Sequence, residues 1–322
     1  MHHRLTPAHP PPPSALLHLR PHDRLGWGFT ALVLIETLVG LSLSLAPAAP
    51  VWLAGQLMLA FSLVQWFVLL HECGHGTLFA TRRLNTIVGH LAGVCAFIPF
   101  GVWKRIHGRH HRWTGWQDVD PTTASLTPRP LSRLEGAIVN ACWRAWIPLF
   151  ATLYRAGNFW NVPRLLRLFP DPAVRRALLV EIAIYALLLG ATVMFFGPTI
   201  VLRVGALAIV LAFVAEEVLI VSQHTHVPMT LSHGEAVPPY PALEQESFTR
   251  SLRLPRWLSR LVLHFDAHEL HHMYPFVPGY LLDRVPYTPM NEVSWRRWIP
   301  AARAVRGEVF FFQNRDGSGF DI

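Results

Sequence analysis

Four long apolar runs set the pattern of the chain. Residues 27–46 (WGFTALVLIETLVGLSLSLA) and 51–70 (VWLAGQLMLAFSLVQWFVLL) meet at the uncharged turn APAAP, and residues 178–197 and 199–221 meet at GPT. Each run has about 20 residues, the length of a helix that crosses roughly 30 Å of hydrocarbon. A fifth stretch, 84–103, is apolar but broken by Gly and Pro. It is read as a re-entrant or interfacial segment, because a fifth crossing would place later histidines on the opposite side. The pattern predicts an all-α integral membrane protein with four transmembrane helices in two hairpins. Between and after the hairpins lie two polar blocks, 71–177 and 222–322. The head, residues 1–26, is Pro-rich and expected to be loosely ordered, with His2, His3 and His9 incidental. No secretory signal peptide is expected, since the first apolar run is long and lacks a small-residue cleavage site. No solenoid repeat is found.

Composition sharpens this picture. The chain has 322 residues, 52% hydrophobic and only 15% charged, against about a quarter charged in soluble proteins. Of the 28 Lys and Arg residues, all but Arg203 fall on one side of the four-span arrangement. The positive-inside rule makes that side cytoplasmic, together with both termini. The net charge of +8 then faces anionic headgroups, and no nucleic-acid partner is expected. Trp103, Trp113, Trp116, Trp257 and Trp295 are read as headgroup-level anchors. Cys73, Cys95 and Cys142 form no C-x-x-C pair and are read as reduced, packed thiols.

The chemistry lies in histidines. His71 and His75 (HECGH) follow the second run; His107, His110 and His111 (HGRHH) and His268, His271 and His272 (HELHH) have helix-compatible spacing. Residues at i, i+3 and i+4 share one helical face, so each group can aim its rings at one ion. QHTH, directly after the fourth run, offers His224 or His226. Every group follows an even number of crossings, so all lie on the same side and can meet.

HECGH also spells the H-E-x-x-H of zinc proteases. A catalytic zinc takes three protein ligands and leaves one position open, whereas nine histidines here suit two ions of higher coordination number. HELHH is a second H-E-x-x-H, and HGRHH has no Glu. A protease reading would explain one group and leave the others idle. A metal carrier would want more polar residues inside the spans than Glu36, Gln56, Gln65, Glu181 and Arg203.

With these motifs the sequence resembles the integral-membrane fatty acid desaturases, from about residue 27 to residue 285. The strings HECGHGTLF, VGHLAGVCAFIPFGVWKRIHGRHH and HHMYPFVPGY are similar to those of acyl-lipid, Δ12-type members. The resemblance implies a cytoplasmic helical cap holding a di-iron site. Its ligands would be His71, His75, His107, His110, His111, His268, His271 and His272, with His224 as the ligand after the last span and His226 as its reserve. It implies a desaturase domain over 27–285 and a cytoplasmic tail over 286–322. It further implies a lipid-linked acyl substrate, O2 as co-substrate, and a cis double bond as product. Three residues, not four, separate the histidines of the first box, unlike stearoyl-CoA desaturases. No H-P-G-G haem motif is present, so electrons are expected from a separate ferredoxin- or cytochrome b5-like protein. A hydroxylase or ketolase acting on a lipid, alkane or carotenoid would use the same ligands.

Ligand histidines normally donate their other N–H to a carboxylate or carbonyl. The candidates are Glu72, Glu217, Asp266 and Glu269, with Asp118 and Asp120 as further possibilities. For WTGWQDVDPTT a turn capped by Asp118 or Asp120 is the preferred reading. His90 and His264 are read as hydrogen-bonded or packing residues near the boxes.

Overall fold

The predicted apolar runs become helices that overrun them. The computed structural model describes residues 9–313 and Arg315. In chain order its helices are α1 (Asp23–Ser44), α2 (Ala49–His75), α3 (Arg82–Cys95), α4 (Phe100–Trp113), α5 (Arg133–Arg144), α6 (Leu149–Arg155) and α7 (Val162–Leu168). They continue with α8 (Pro172–Phe196), α9 (Pro198–His224), α10 (Arg256–Leu261), α11 (His268–Met273), α12 (Trp295–Ala304) and α13 (Gly307–Phe312). Two short strands, β1 (Leu252–Arg253) and β2 (Val293–Ser294), pair in parallel. Helices α1, α2, α8 and α9 are long and apolar enough to cross a membrane. Helix α2 continues to His75 and α9 to His224, beyond the predicted ends at 70 and 221. Hydropathy marks where lipid is; the backbone hydrogen-bond ladder has no reason to stop there.

The chain divides into two compact units: residues 22–107 with 147–217, and residues 1–21, 108–146 and 218–322. The unit boundaries fall inside α4, after His107, and inside α9, after Glu217.

In the first unit, small residues let helices approach. A Cβ on Gly55 would lie 2.5 Å from Ser44 N, and one on Gly40 would lie 3.0 Å from Leu59 N. Trp66 Nε1 donates to Thr37 Oγ1 across the same pair at 2.8 Å. Gln56, buried, donates through Nε2 to Val204 O at 2.8 Å and accepts the Ala208 N–H at 3.0 Å, bridging both ends of one turn of α9. Arg203 donates to Ala46 O at 2.9 Å. Gly197, at φ 79, and Pro198 end α8 and start α9. Helices α3 and α4 are bent by 100° at a short break, where Phe97 has φ 58 and Pro99 follows.

The second unit is built around buried aromatics. Trp143 of α5 stacks on Phe310 of α13 at 4.8 Å and donates to the carbonyls of Ala302 and Val305. Within the stretch expected to belong to a tail, α12 and α13 thus form with Trp298, Phe310 and Phe311 buried. The head is also not loose over its described part. Leu16 and Leu19 are buried in a cluster with Leu270, Met273, Tyr274, Val277 and Leu282, and Tyr274 Oη donates to Pro11 O at 2.7 Å. A Pro-rich strand needs no ladder of its own when a few leucines anchor it and its carbonyls find side-chain donors. His2 and His3 lie outside the described residues, as does the polar tail from 314 to 322 apart from Arg315.

Candidate metal centre

Helix α2 delivers His71 and His75 on its last turns. Gly76, at φ 75, ends the helix: its N–H bonds Cys73 O and the Thr77 N–H bonds Glu72 O. This is a Schellman motif, and glycine supplies the left-handed residue it needs. His107 comes from α4, and its Nε2 lies 2.8 Å from His75 Nε2. The ligand atoms of His71, His75 and His107 all lie within 4.8 Å of one another. Trp103, four residues before His107, stacks on that ring at 4.2 Å and meets His71 edge-on at 5.6 Å. It is 1% exposed, so it is not the headgroup anchor expected from sequence; the i, i+4 spacing places it over a ligand ring instead.

In the second unit, His110 (α4), His224 (α9), and His268 and His272 (α11) form a group whose ligand atoms lie within 4.8 Å of one another. Nε2–Nε2 separations are 3.1 Å for His110–His224, 2.7 Å for His224–His268 and 3.0 Å for His268–His272. His111 and His271 bring their Nε2 atoms to 3.0 Å, and His111 stacks on His272 at 4.3 Å. His226 is elsewhere in the unit, stacked on Phe310 at 5.8 Å.

The opposite ring nitrogens explain why Nε2 faces inward. His110 Nδ1 donates to Asp120 Oδ2 at 2.6 Å and to Thr122 Oγ1 at 2.9 Å. Thr122 in turn donates its N–H and hydroxyl to Asp120 Oδ1. Asp120 therefore both closes a local turn and orients a ligand ring. His272 Nδ1 donates to Gln245 Oε1 at 2.9 Å, and the Gln245 amide is fixed by donating to His111 O at 2.7 Å. His71 Nδ1 lies 3.3 Å from Glu72 Oε1, while Thr77 Oγ1 donates to Glu72 Oε2. A proton on Nδ1 leaves a lone pair on Nε2. Burial first, and the neighbouring imidazoles next, push the His272 pKa well below the ordinary histidine range.

Neutral Nε2 lone pairs pointing at one another repel unless a cation lies among them. First-row metals bind imidazole at about 2.1 Å, so two nitrogens at right angles on one ion are about 3 Å apart. The observed 2.7–3.1 Å separations fit that requirement. The residues thus fit metal binding, and the donor set alone leaves several first-row metals open.

The other predicted carboxylates accept hydrogen bonds from backbone and hydroxyl groups. Glu217 Oε2 accepts the N–H groups of Phe150 and Ala151 at 2.8 and 3.1 Å. Seven residues on α9 do align Glu217 with His224, but the bare N–H groups starting α6 engage the carboxylate. Asp266 accepts from Ser259 Oγ and Leu254 N, and neither contact involves a ligand histidine. Glu269 accepts the Ser251 and Asn291 N–H groups at 3.0 and 2.7 Å. Burial pushes its carboxyl up to about 7 against those donors. The glutamates of both H-E-x-x-H strings thus accept hydrogen bonds from neighbouring groups. Asp118 accepts from Ser232 N and Oγ and from His233 N. His264 bonds Ser259 Oγ at 2.8 Å, and His90 bonds Tyr185 Oη at 3.2 Å.

Sequence reasoning missed Gln245, Thr122 and Arg250. Arg250, buried, donates to the carbonyls of Ser222, Thr225 and His226, so it caps the end of α9 where His224 sits. Nothing in the local pattern around Gln245 or Arg250 announces these roles, because their partners lie more than twenty residues away.

Apolar helices long enough to span a bilayer, together with groups of converging imidazoles able to hold metal ions, define a histidine-rich membrane protein. Residues 46–292 match the fatty acid desaturase family, and the chain belongs to that family. It is 27% identical to a probable fatty acid desaturase of Sorghum bicolor, over 67% of this chain and 58% of that protein. It is 26% identical to the sn-1 oleoyl-lipid 12-desaturase of Picosynechococcus sp., over 78% of this chain and 70% of that protein. It is 25% identical to the acyl-lipid omega-3 desaturase (cytochrome b5), endoplasmic reticulum, of Arabidopsis thaliana, over 67% and 58%. The chain thus spans little more than half the length of these two plant proteins.

Proposed function

We propose that the protein is a membrane acyl-lipid desaturase that places a cis double bond in a lipid-linked acyl chain. The reaction removes two hydrogens from the chain and reduces O2 to two waters with two electrons and two protons. The observation that carries this reading is the pair of imidazole groups with converging ligand atoms, in which Nδ1 of His110 is held by Asp120 and Nδ1 of His272 by Gln245. His71, His75 and His107 would hold one iron, and His110, His224, His268 and His272 another, with His111 and His271 as further ligands. Bound iron would supply an oxidant, drawn from O2, that side-chain acids and bases cannot provide.

The chain's own residues prepare the site. Asp120, Gln245 and Glu72 keep the Nδ1 protons on the outer side of the rings. Trp103 covers His107 and keeps water from that side. Arg250 holds the end of α9 so that His224 keeps its direction. The proposed ligands are all imidazoles, so the protein would add no negative charge to the metals they hold.

The basic residues favour a topology of two hairpins, with termini and histidines on the cytoplasmic side under a helical cap. The desaturase domain would cover 27–285, and residues 286–322 would complete the cytoplasmic part. Electrons would come from a separate protein; cytochrome b5 stands in the name of one relative, and a ferredoxin-like donor would serve equally.

The test is expression of the protein and its His107→Ala variant in a host with a simple lipid profile. Fatty acids are compared by mass spectrometry, and metals are measured on purified protein. A new alkene made by the parent alone, with iron bound, is expected. A new alcohol in its place would transfer the protein to the hydroxylases. Protein with one zinc, no iron and unchanged lipids would overturn the reading.

A further inference from the structure

Helix α5 (Arg133–Arg144) has two apolar faces, and packing accounts for only one. The inner face carries Gly136, Val139 and Trp143. A Cβ on Gly307 would lie 2.9 Å from Trp143 Cβ, and one on Gly136 would lie 2.5 Å from Glu308 Oε2, so this face is closed against α13. On the other side Leu134, Ile138, Ala141 and Ala145 recur at i, i+4, i+7 and i+11 and are all exposed. Leu134 is 71% and Ile138 46% exposed. Trp146, two residues beyond the helix, has the Arg303 guanidinium over its ring at 3.5 Å and is still 42% exposed.

Charge is arranged along this stripe. Arg133 and Arg144, both exposed, fall on the same flank of it by helical periodicity, one at each end of the helix. The acid of the helix, Glu135, is on the opposite flank and is engaged with Arg129 and the Ser132 N–H in a capping box. A narrow apolar stripe with arginines beside it and an aromatic residue at its end is the pattern of a helix lying in a membrane interface. Anionic headgroups attract the arginines, and tryptophan prefers the headgroup level.

We propose that α5 lies in the plane of an anionic bilayer surface with Leu134, Ile138, Ala141 and Ala145 in lipid, giving the second unit a membrane contact of its own. The occupant is lipid and not a second protein, because charge and aromatic placement match a headgroup layer along the whole stripe.

The test is a spin-label scan of the full chain in nanodiscs containing anionic lipid. The background is Cys95→Ala and Cys142→Ala, leaving the buried Cys73. Single cysteines are placed at positions 133, 134, 135, 137, 138, 140, 141, 144 and 145, and each variant is checked for a monodisperse elution profile. Accessibility to oxygen should peak, and accessibility to a water-soluble nickel reagent should dip, at 134, 138, 141 and 145, with the order inverted at 133, 135 and 144. Replacing Arg133 and Arg144 by Gln should reduce the contrast in anionic nanodiscs to that in zwitterionic ones. High nickel accessibility at 134 and 138 would overturn the proposal. So would labels closed to both reagents, and spin–spin coupling between the labels would reassign the face to a second copy of the chain.

Discussion

Asp120 Oδ2 accepts the Nδ1–H of His110 at 2.6 Å, and this contact fixes which ring nitrogen faces the neighbouring imidazoles. The same carboxylate holds the N–H and hydroxyl of Thr122. Replacing it removes a tautomer lock and a turn at once. Asp120→Ala is expected to lower metal affinity by about 10–100-fold. Gln245→Leu, which unlocks His272 and frees His111 O, should act in the same direction. Metal titration of the purified apo proteins checks both, independently of turnover.

His224 and His226 are two residues apart and have different fates. His224→Ala should release metal from the group formed with His110, His268 and His272. His226→Phe keeps the stack on Phe310 and should leave metal content unchanged. Elemental analysis of the two variants decides the matter, and equal loss from both would refute the assignment.

Gly74 leaves room for Trp103. A Cβ there would lie 2.1 Å from Trp103 Cζ3, and the indole, held between Gly74 and the His107 ring, has little freedom to retreat. Gly74→Ala should cost about 1–3 kcal/mol through overpacking. Adding Trp103→Leu should recover part of that loss. A thermal-shift cycle of the single and double variants measures the coupling.

Gln56 inserts its amide at the Val204–Ala208 turn of α9. Interhelical hydrogen bonds in membranes average about 0.6 kcal/mol each. Gln56→Leu should therefore lower stability by roughly 1–2 kcal/mol with metal content unchanged. Unfolding in mixed detergent micelles provides the comparison.

Acid should disarm the centre. Burial keeps His272 neutral in the fold, whereas the unfolded chain binds a proton there near pH 6.5. The folded pKa is depressed, so the stability it contributes is present above about pH 6.5 and falls as the pH drops below it. Metal binding adds the same sign, since the ligands must be deprotonated. Metal retained after dialysis between pH 8 and pH 5 should fall together with the melting temperature. Retention at pH 5 equal to that at pH 8 would contradict this account.

Much of this arrangement is legible in the chain. Apolar runs of span length require helices, whatever surrounds them, because lipid cannot satisfy backbone groups. The spacing in HECGH, HGRHH and HELHH puts each set of rings on one helical face. These are local properties, fixed by periodicity.

Only the tertiary structure decides which distant groups meet. It gives Asp120 to His110, Gln245 to His272 and Glu217 to the start of α6. It buries Trp103 on His107 and ties Leu16 and Leu19 of the Pro-rich head to α11. Which donors reach a given carboxylate is settled by packing. The sequence by itself determined the spans and the ring-bearing faces; folding chose the partner on the far side of each ring, since that choice depends on contacts between residues far apart in the chain.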